Sequence, residues 1–158
     1  MPPPDTELVS RAEIQVDAPA SAVYARLLDA RRWNAWRTPP LSGRFLGAVT
    51  RYSDAVSEGD RLGVLASPSV AGVLPLPTRA TVTRASGGVL SFDDDALFGL
   101  ASGTTSIAVR SVGWGGKRCV VTAEHTTRGP LGCITPALAK ERAMARWVLD
   151  LKRATEGK

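Results

Sequence analysis

The chain has 158 residues, of which 44% are apolar and 22% charged, and its formal net charge is +5. This length suits one domain with a sizeable core, and the composition is typical of a water-soluble globular protein. No apolar run approaches the roughly 18 residues that a membrane span needs, so we expect no stable membrane insertion. The N-terminus has no basic segment followed by an apolar one, which together with the low cysteine content predicts a cytoplasmic protein.

The sequence predicts neither a metal site nor a disulfide framework. Cys119 and Cys133 are too few for a disulfide framework, and their spacing matches no zinc pattern. The acidic run at residues 93–95 is consecutive, so in an extended segment its side chains diverge and cannot converge on a cation. We interpret this run as a solvated strand end, and we expect no metal and no cofactor.

The positive charge is concentrated between Arg26 and Arg51, where six arginines accompany a single acid, Asp29. Such a stretch attracts anionic partners. No nucleic-acid motif accompanies it and no aromatic residues interleave as a stacking platform, so we expect no nucleic-acid binding. The simplest interpretation is a solvated basic face, and the alternative is that it steers an anionic ligand.

Hydrophobic periodicity predicts a strand, two short helices and then a series of strands. Residues 1–7 are rich in proline and are expected to form a disordered tail, whereas residues 8–16 alternate as a half-buried strand does. A short helix opens at Ala20 or Ser21, and residues 31–36 form a second short helix or turn. The strands that follow are predicted at residues 43–52, 61–66, 78–85, 89–93, 104–112 and 118–127, with apolar loops at 67–77 and 94–103. Hairpin-length links make this sheet antiparallel.

The last segment, residues 135–156, is predicted to be the helix around which the domain is built. Thr135 suits the N-cap and Pro136 the first helical position. A period of 3.6 residues gathers the apolar positions on one face and the charged positions opposite. The apolar face holds Ala137, Met144, Trp147, Val148 and Leu151; the charged face holds Arg142, Arg146, Asp150 and Arg153.

Two segments resemble the START/Bet v1-like superfamily (SRPBCC), also called the polyketide cyclase/dehydrase and lipid-transport group. The first is IQVDAPASAVYARLLDARRWNAW, and the second is Arg128-Gly129-Pro130-Leu131 with the long helix that closes at Leu151-Lys152 and Ala154. The matching positions of the first are Pro19, Val23, Tyr24, Leu27 or Leu28, Asp29, Trp33 and Trp36. The glycine-rich loop of the plant members has no counterpart, because residues 56–61 offer Gly59 alone.

The resemblance covers about residues 8–156 and implies a single domain of α+β class. This helix-grip fold has a strongly bent antiparallel sheet of about seven strands around a long C-terminal helix, with two short helices after the first strand. It also implies a cavity between the sheet and the helix. The abundance of Ala, Val and Gly and the low aromatic content of 6% independently favour such a space.

Strand parity predicts which residues line this cavity. In the last strand the alternate positions from Cys119 to Thr127 are the more apolar, so we place them inward. Trp33 is either a core residue or a stacking surface for the ligand. The complete predicted ligand-binding set is Trp33, Leu90, Phe92, Thr105, Ile107, Val109, Ser111, Val121, Ala123, His125, Thr127, Met144, Trp147, Val148 and Leu151.

His125 is the single histidine and the candidate catalytic residue, since its ordinary pKa suits a general base at neutral pH. The alternative is a histidine at a strand end that bonds the backbone. No Ser, Cys or Lys has a recognisable base beside it in a nucleophile motif.

Three functions therefore stand open. The first is a module that binds a hydrophobic or amphipathic small molecule such as a lipid, a sterol or an aromatic polyketide. The second is a cyclase/dehydratase-type enzyme with His125 as acid or base. The third is a protein-interaction domain, like the co-chaperone members, that uses the basic stretch. Oligomeric state and ligand identity are not predicted.

Overall fold

A computed structural model describes residues 8–37, 44–48, 55–66, 76–96, 101–128 and 137–157. The predicted tail at 1–7, most of the predicted loop at 67–77, Cys133 and the Thr135-Pro136 pair lie outside these ranges. The elements in chain order are β1 (Leu8–Val16), α1 (Ala20–Leu28), a 3-10 turn (Ala30–Arg32), α2 (Trp33–Trp36), β2 (Arg44–Ala48), β3 (Arg61–Ala66), β4 (Leu76–Ser86), β5 (Val89–Ala96), β6 (Ala101–Val112), β7 (Arg118–Arg128) and α3 (Ala137–Glu156).

The seven strands form one antiparallel sheet in the order β1-β7-β6-β5-β4-β3-β2. The first strand therefore pairs with the last. Register shifts at Phe45/Gly47 and at Val82/Arg84 interrupt the ladders, and irregularities of this kind bend antiparallel strands. The helix α3 packs chiefly on β1 and β7, while α1 and α2 also contact it. The predicted helix-grip α+β architecture is confirmed.

Two predicted loops are partly strand. β5 continues to Ala96 and β6 begins at Ala101, so the acidic run is paired rather than a free strand end. Cross-strand bonding offsets the low strand propensity of aspartate here, since Thr104 Oγ1 donates to Asp93 Oδ1 at 2.8 Å. β4 begins at Leu76 and includes Pro77, which is tolerated because the pairing with β5 begins only at Arg79.

The core lies between the inner face of the sheet and the helices. Val23 and Leu27 of α1 are fully buried, as their helical spacing predicts. The Tyr24 hydroxyl donates to the Val89 carbonyl at 2.9 Å, which fastens α1 to β5. The Trp33 indole N–H donates to the Leu27 carbonyl at 2.9 Å, so the two short helices hold each other in place.

The apolar face predicted for α3 is buried at Met144, Trp147, Val148 and Leu151. The prediction that Asp150 lies on the charged face is wrong, because Asp150 is only 3% exposed. It lies one turn from Trp147 on the flank of the same face, and Arg146 pairs with its carboxylate at 3.2 Å. None of the described helices is long and apolar enough to cross a membrane.

Candidate ligand-binding site

A row of inward side chains crosses the sheet at the level of His125. Antiparallel register places Ser10, His125, Thr105, Phe92 and Val82 directly opposite one another on neighbouring strands. Directly paired residues project from the same face of a sheet, so these five side chains are neighbours. The row mixes apolar side chains with two hydroxyls and an imidazole, and it therefore combines apolar surface with a few polar groups.

Most of the predicted set lies in the protein interior. Ser111 is exposed, although it pairs with the buried Cys119. His125 is half-buried. The buried members are Trp33, Leu90, Phe92, Thr105, Ile107, Val109, Val121, Ala123, Thr127, Met144, Trp147, Val148 and Leu151.

His125 has a polar partner on the neighbouring strand. Its Nδ1 lies 2.9 Å from Thr105 Oγ1, a hydrogen-bonding distance. On its other side, the register places Ser10 of β1, which is 1% exposed and whose hydroxyl has no hydrogen-bond partner. A buried hydroxyl without a partner is costly in a stable core, so Ser10 marks a place where a ligand group or water is expected.

Gly103 makes room for a carboxylate beside the same imidazole. It pairs with Asp94 on β5 and with Thr127 on β7. A Cβ atom at this glycine would lie 2.7 Å from Asp94 Oδ1 and 3.0 Å from His125 Nε2. The carboxylate and the second ring nitrogen therefore both lie beside this glycine. Thr105, His125 and Asp94 place a hydroxyl, an imidazole and a carboxylate close together, as an array of three polar groups.

Sequence reasoning missed Asp94, which was interpreted as part of a solvated strand end. The side chain is half-buried and faces inward. The signal was present, since Asp94 stands two residues after Phe92, which was already predicted to face inward. It was missed because the strand was predicted to end at residue 93, whereas β5 continues for three more residues to Ala96.

A second polar group is the guanidinium of Arg37, directly after α2. Arg37 is only 7% exposed, and its guanidinium carbon lies 4.4 Å from the Trp147 ring centroid and 5.5 Å from that of Trp33. These are cation–π distances. The interpretation of the basic stretch as a solvated face is wrong for Arg37, although Arg26 and Arg32 are exposed. The signal was its position immediately after a pair of tryptophans.

Aromatic contacts join Arg37 to the inner face of the sheet. The Trp33 and Trp36 rings meet Trp147 edge-on at centroid distances of 5.3 and 5.4 Å, so the two indoles lie on the same side of α2. Trp33 also contacts Phe92 at 6.4 Å. Because Phe92 pairs with Thr105, the guanidinium and the imidazole lie along one continuous surface.

The charges around Arg37 do not balance within the part of the chain that the structure describes. Burial lowers the pKa of Arg37 to about 9, against the opposing effect of the Asp150 carboxylate. Arg37 is therefore still cationic at neutral pH. The same carboxylate pairs with Arg146, so two guanidinium groups share one buried carboxylate.

No group of three or more His, Cys, Asp or Glu side chains that could hold a metal occurs among the described residues. Cys119 is a buried free thiol, and burial raises its pKa. A thiol in that environment is a poor nucleophile.

Comparison with known proteins identifies the fold and no close relative. No family model matches the chain, and no curated protein matches its sequence. A point mutant of norcoclaurine synthase from Thalictrum flavum, in complex with a transition-state analogue, matches with a TM-score of 0.70 at 16% identity, over 97% of this chain and 96% of that one. A START superfamily protein from Mycobacterium smegmatis matches with a TM-score of 0.66 at 13% identity, over 94% and 97% of the two chains.

An aromatase/cyclase from a Streptomyces species also matches, with a TM-score of 0.66 at 14% identity, over 96% of this chain and 94% of that one. These proteins differ in activity and share the architecture described above. The chain therefore has the START/Bet v1-like helix-grip fold.

Proposed function

We propose that the protein binds a hydrophobic or amphipathic small molecule, such as a lipid, a sterol or an aromatic polyketide-like compound, in an internal cavity between the sheet and α3. One observation carries the proposal. The inner surface from Leu90 and Ile107 through Trp33 to Trp147 is aromatic and aliphatic, with a small number of polar groups at defined positions. Small-molecule sites have this composition. The norcoclaurine synthase complex and the aromatase/cyclase offer further support, since both have the same fold.

The proposed contacts are the buried members of the predicted set. Phe92 and Trp33 supply flat apolar surface, and Thr105 with His125 supplies hydrogen bonding on the adjoining strands. Ser111 is exposed, so we leave it out of this proposal.

Native mass spectrometry of protein purified from its own host tests the proposal. The expected result is a complex heavier than the bare chain, which releases a small molecule into organic solvent when the protein is denatured. A protein of bare mass that also fails to enhance the fluorescence of phenylnaphthylamine, a neutral apolar probe, would overturn it.

A second candidate is a cyclase/dehydratase-type enzyme, favoured by the array of Thr105, His125 and Asp94. In such an array the carboxylate orients the imidazole, and the imidazole removes a proton from the hydroxyl or from a substrate carbon beside a carbonyl. His125→Ala is then expected to lower the turnover of a polyketide-type substrate by about 100-fold or more. Ser111→Ala, at an exposed position of β6, is the matched control. Full turnover by the His125 variant would remove this mechanism and leave ligand binding untouched.

A further inference from the structure

Two neighbouring N–H donors between the short helices and α3 have no acceptor among the described residues. The Trp36 indole nitrogen and Arg37 Nε are both buried and without a hydrogen-bond partner. Both side chains lie against the Trp147 ring. Buried donors in native proteins are nearly always paired, so two unpaired donors on consecutive residues call for an acceptor that the described chain does not supply.

The positive charge of Arg37 also favours a hydrogen-bond acceptor here, and specifically an anionic one. Arg37 is more than nine-tenths buried, and its guanidinium lies beside the rings of Trp33 and Trp147. Among the described residues, the Asp150 carboxylate is the acid that acts on it, and that carboxylate is already paired with Arg146 at 3.2 Å. A buried cation is tolerated when an anion with hydrogen-bonding oxygens meets it.

The position of these donors is what connects them to a ligand. Trp147 touches Trp33, and Trp33 touches Phe92 on the inner face of β5. An apolar molecule lying against Phe92 and Trp33 would therefore extend toward Arg37. Guanidinium is well suited to the group at its end, because its planar N–H donors match the oxygens of a carboxylate, sulfonate or phosphate.

We propose that Arg37 and Trp36 form an anion-binding subsite, and that the protein selects an organic anion: an aromatic or aliphatic molecule whose carboxylate or comparable acidic group is held by the Arg37 guanidinium and the Trp36 indole N–H. The proposal rests on the proposed function, since the apolar part of the same molecule occupies the cavity. The rival explanation is that Arg37 has a structural role alone and packs against the two tryptophan rings without binding a ligand.

A matched pair of fluorescent probes separates these explanations. Anilinonaphthalene sulfonate is phenylnaphthylamine with one sulfonate added, so the two share an apolar body and differ in the anionic group. The affinities of both are measured by titration for the wild type, for Arg37→Met and for Arg26→Met. Arg26 is exposed on α1, so its substitution removes the same charge from the surface and controls for long-range attraction.

We expect the wild type to bind the sulfonate at least tenfold more tightly than the neutral probe. Arg37→Met should lower the affinity for the sulfonate by about tenfold or more, which corresponds to the loss of a charge-assisted hydrogen bond. It should change the affinity for the neutral probe by less than twofold, and Arg26→Met should change both affinities by less than twofold. Trp36→Phe keeps an aromatic ring but removes the N–H, and it should lower the affinity for the sulfonate probe alone by about threefold. This variant also tests the subsite if Arg37→Met fails to fold.

The outcomes are distinguishable. Equal affinities of the wild type for the two probes, or equal losses for both in the variants, would overturn the subsite while leaving the cavity in place. Binding of neither probe by the folded wild type would overturn the proposed function and the subsite together.

Discussion

At the scale of single residues, the polar part of the site depends on a glycine, Gly103, whose lack of a side chain leaves room for its neighbours. Gly103 faces inward and is buried, yet no unusual backbone angle requires glycine there. Space requires it, since Asp94 Oδ1 and His125 Cε1 would each lie 2.7 Å from a Cβ atom. A Cβ atom would overlap with both the oxygen and the carbon at that separation, so the site depends on this residue's having no side chain.

Gly103→Ala should therefore push the imidazole and the carboxylate apart. Both clashing groups are side-chain ends that can move, so we expect a cost of about 1 kcal/mol in unfolding free energy, at the low end of overpacking effects. We also expect a changed NMR signal of the His125 Cε1 proton, which is assigned at once because the chain has one histidine. Ser102→Ala, at the preceding position of β6, is the control. An unchanged imidazole signal in the alanine variant would contradict the close approach at Gly103.

At the scale of elements, the sequence was sufficient where a period was long and clear. The alternation of residues 8–16 and the apolar face of residues 135–156 gave β1 and most of α3, because a repeated pattern over several turns or strand residues averages out local exceptions. It was insufficient where one residue's neighbours decide its place. Arg37 is held inside by its contact with Trp147, which lies far along the chain. Asp150 is buried together with its ion pair to Arg146, one helical turn away on α3.

The attachment of α1 to the sheet offers a test at this scale. The Tyr24 hydroxyl donates to the Val89 carbonyl across 65 positions of sequence, in a half-buried place. Tyr24→Phe leaves that carbonyl without its partner, so we expect a loss of about 1 kcal/mol in unfolding free energy, measured by urea denaturation. Thr104→Val removes an exposed bond to Asp93 and should cost less, because water replaces it. A Tyr24 variant as stable as the wild type would mean that packing alone holds α1.

At the scale of the whole molecule, the apolar interior surrounds a charge that weakens the fold. A folded-state pKa of about 9 for Arg37, well below its ordinary value, means that the unfolded chain binds the proton more tightly. Between the folded-state and unfolded-state pKa values of Arg37, the free energy of unfolding therefore rises with pH, because the unfolded state holds more protons. The cost is fully present below pH 9 and fades as the pH rises above about 9, where Arg37 is neutralised in the folded state.

Arg37→Met should accordingly be at least as stable as the wild type at pH 7, and we expect a gain of about 1 kcal/mol. Methionine fills a similar volume against Trp33 and Trp147 and carries no charge, while Asp150 keeps its ion pair with Arg146. The gain in unfolding free energy should shrink when the measurement is repeated at pH 10, because Arg37 of the folded wild type is then largely neutral. The other titrating groups are common to both proteins, so their effects cancel in the difference. Arg26→Met removes an exposed charge, so its difference in unfolding free energy from the wild type should be the same at pH 7 and pH 10.

An Arg37→Met protein that is less stable than the wild type at both pH values would mean that stacking on the tryptophans outweighs burial of the charge. A stabilising Arg37→Met that also loses the sulfonate probe would indicate that the cation is retained for binding, since residues kept at a cost to stability are typical of functional sites.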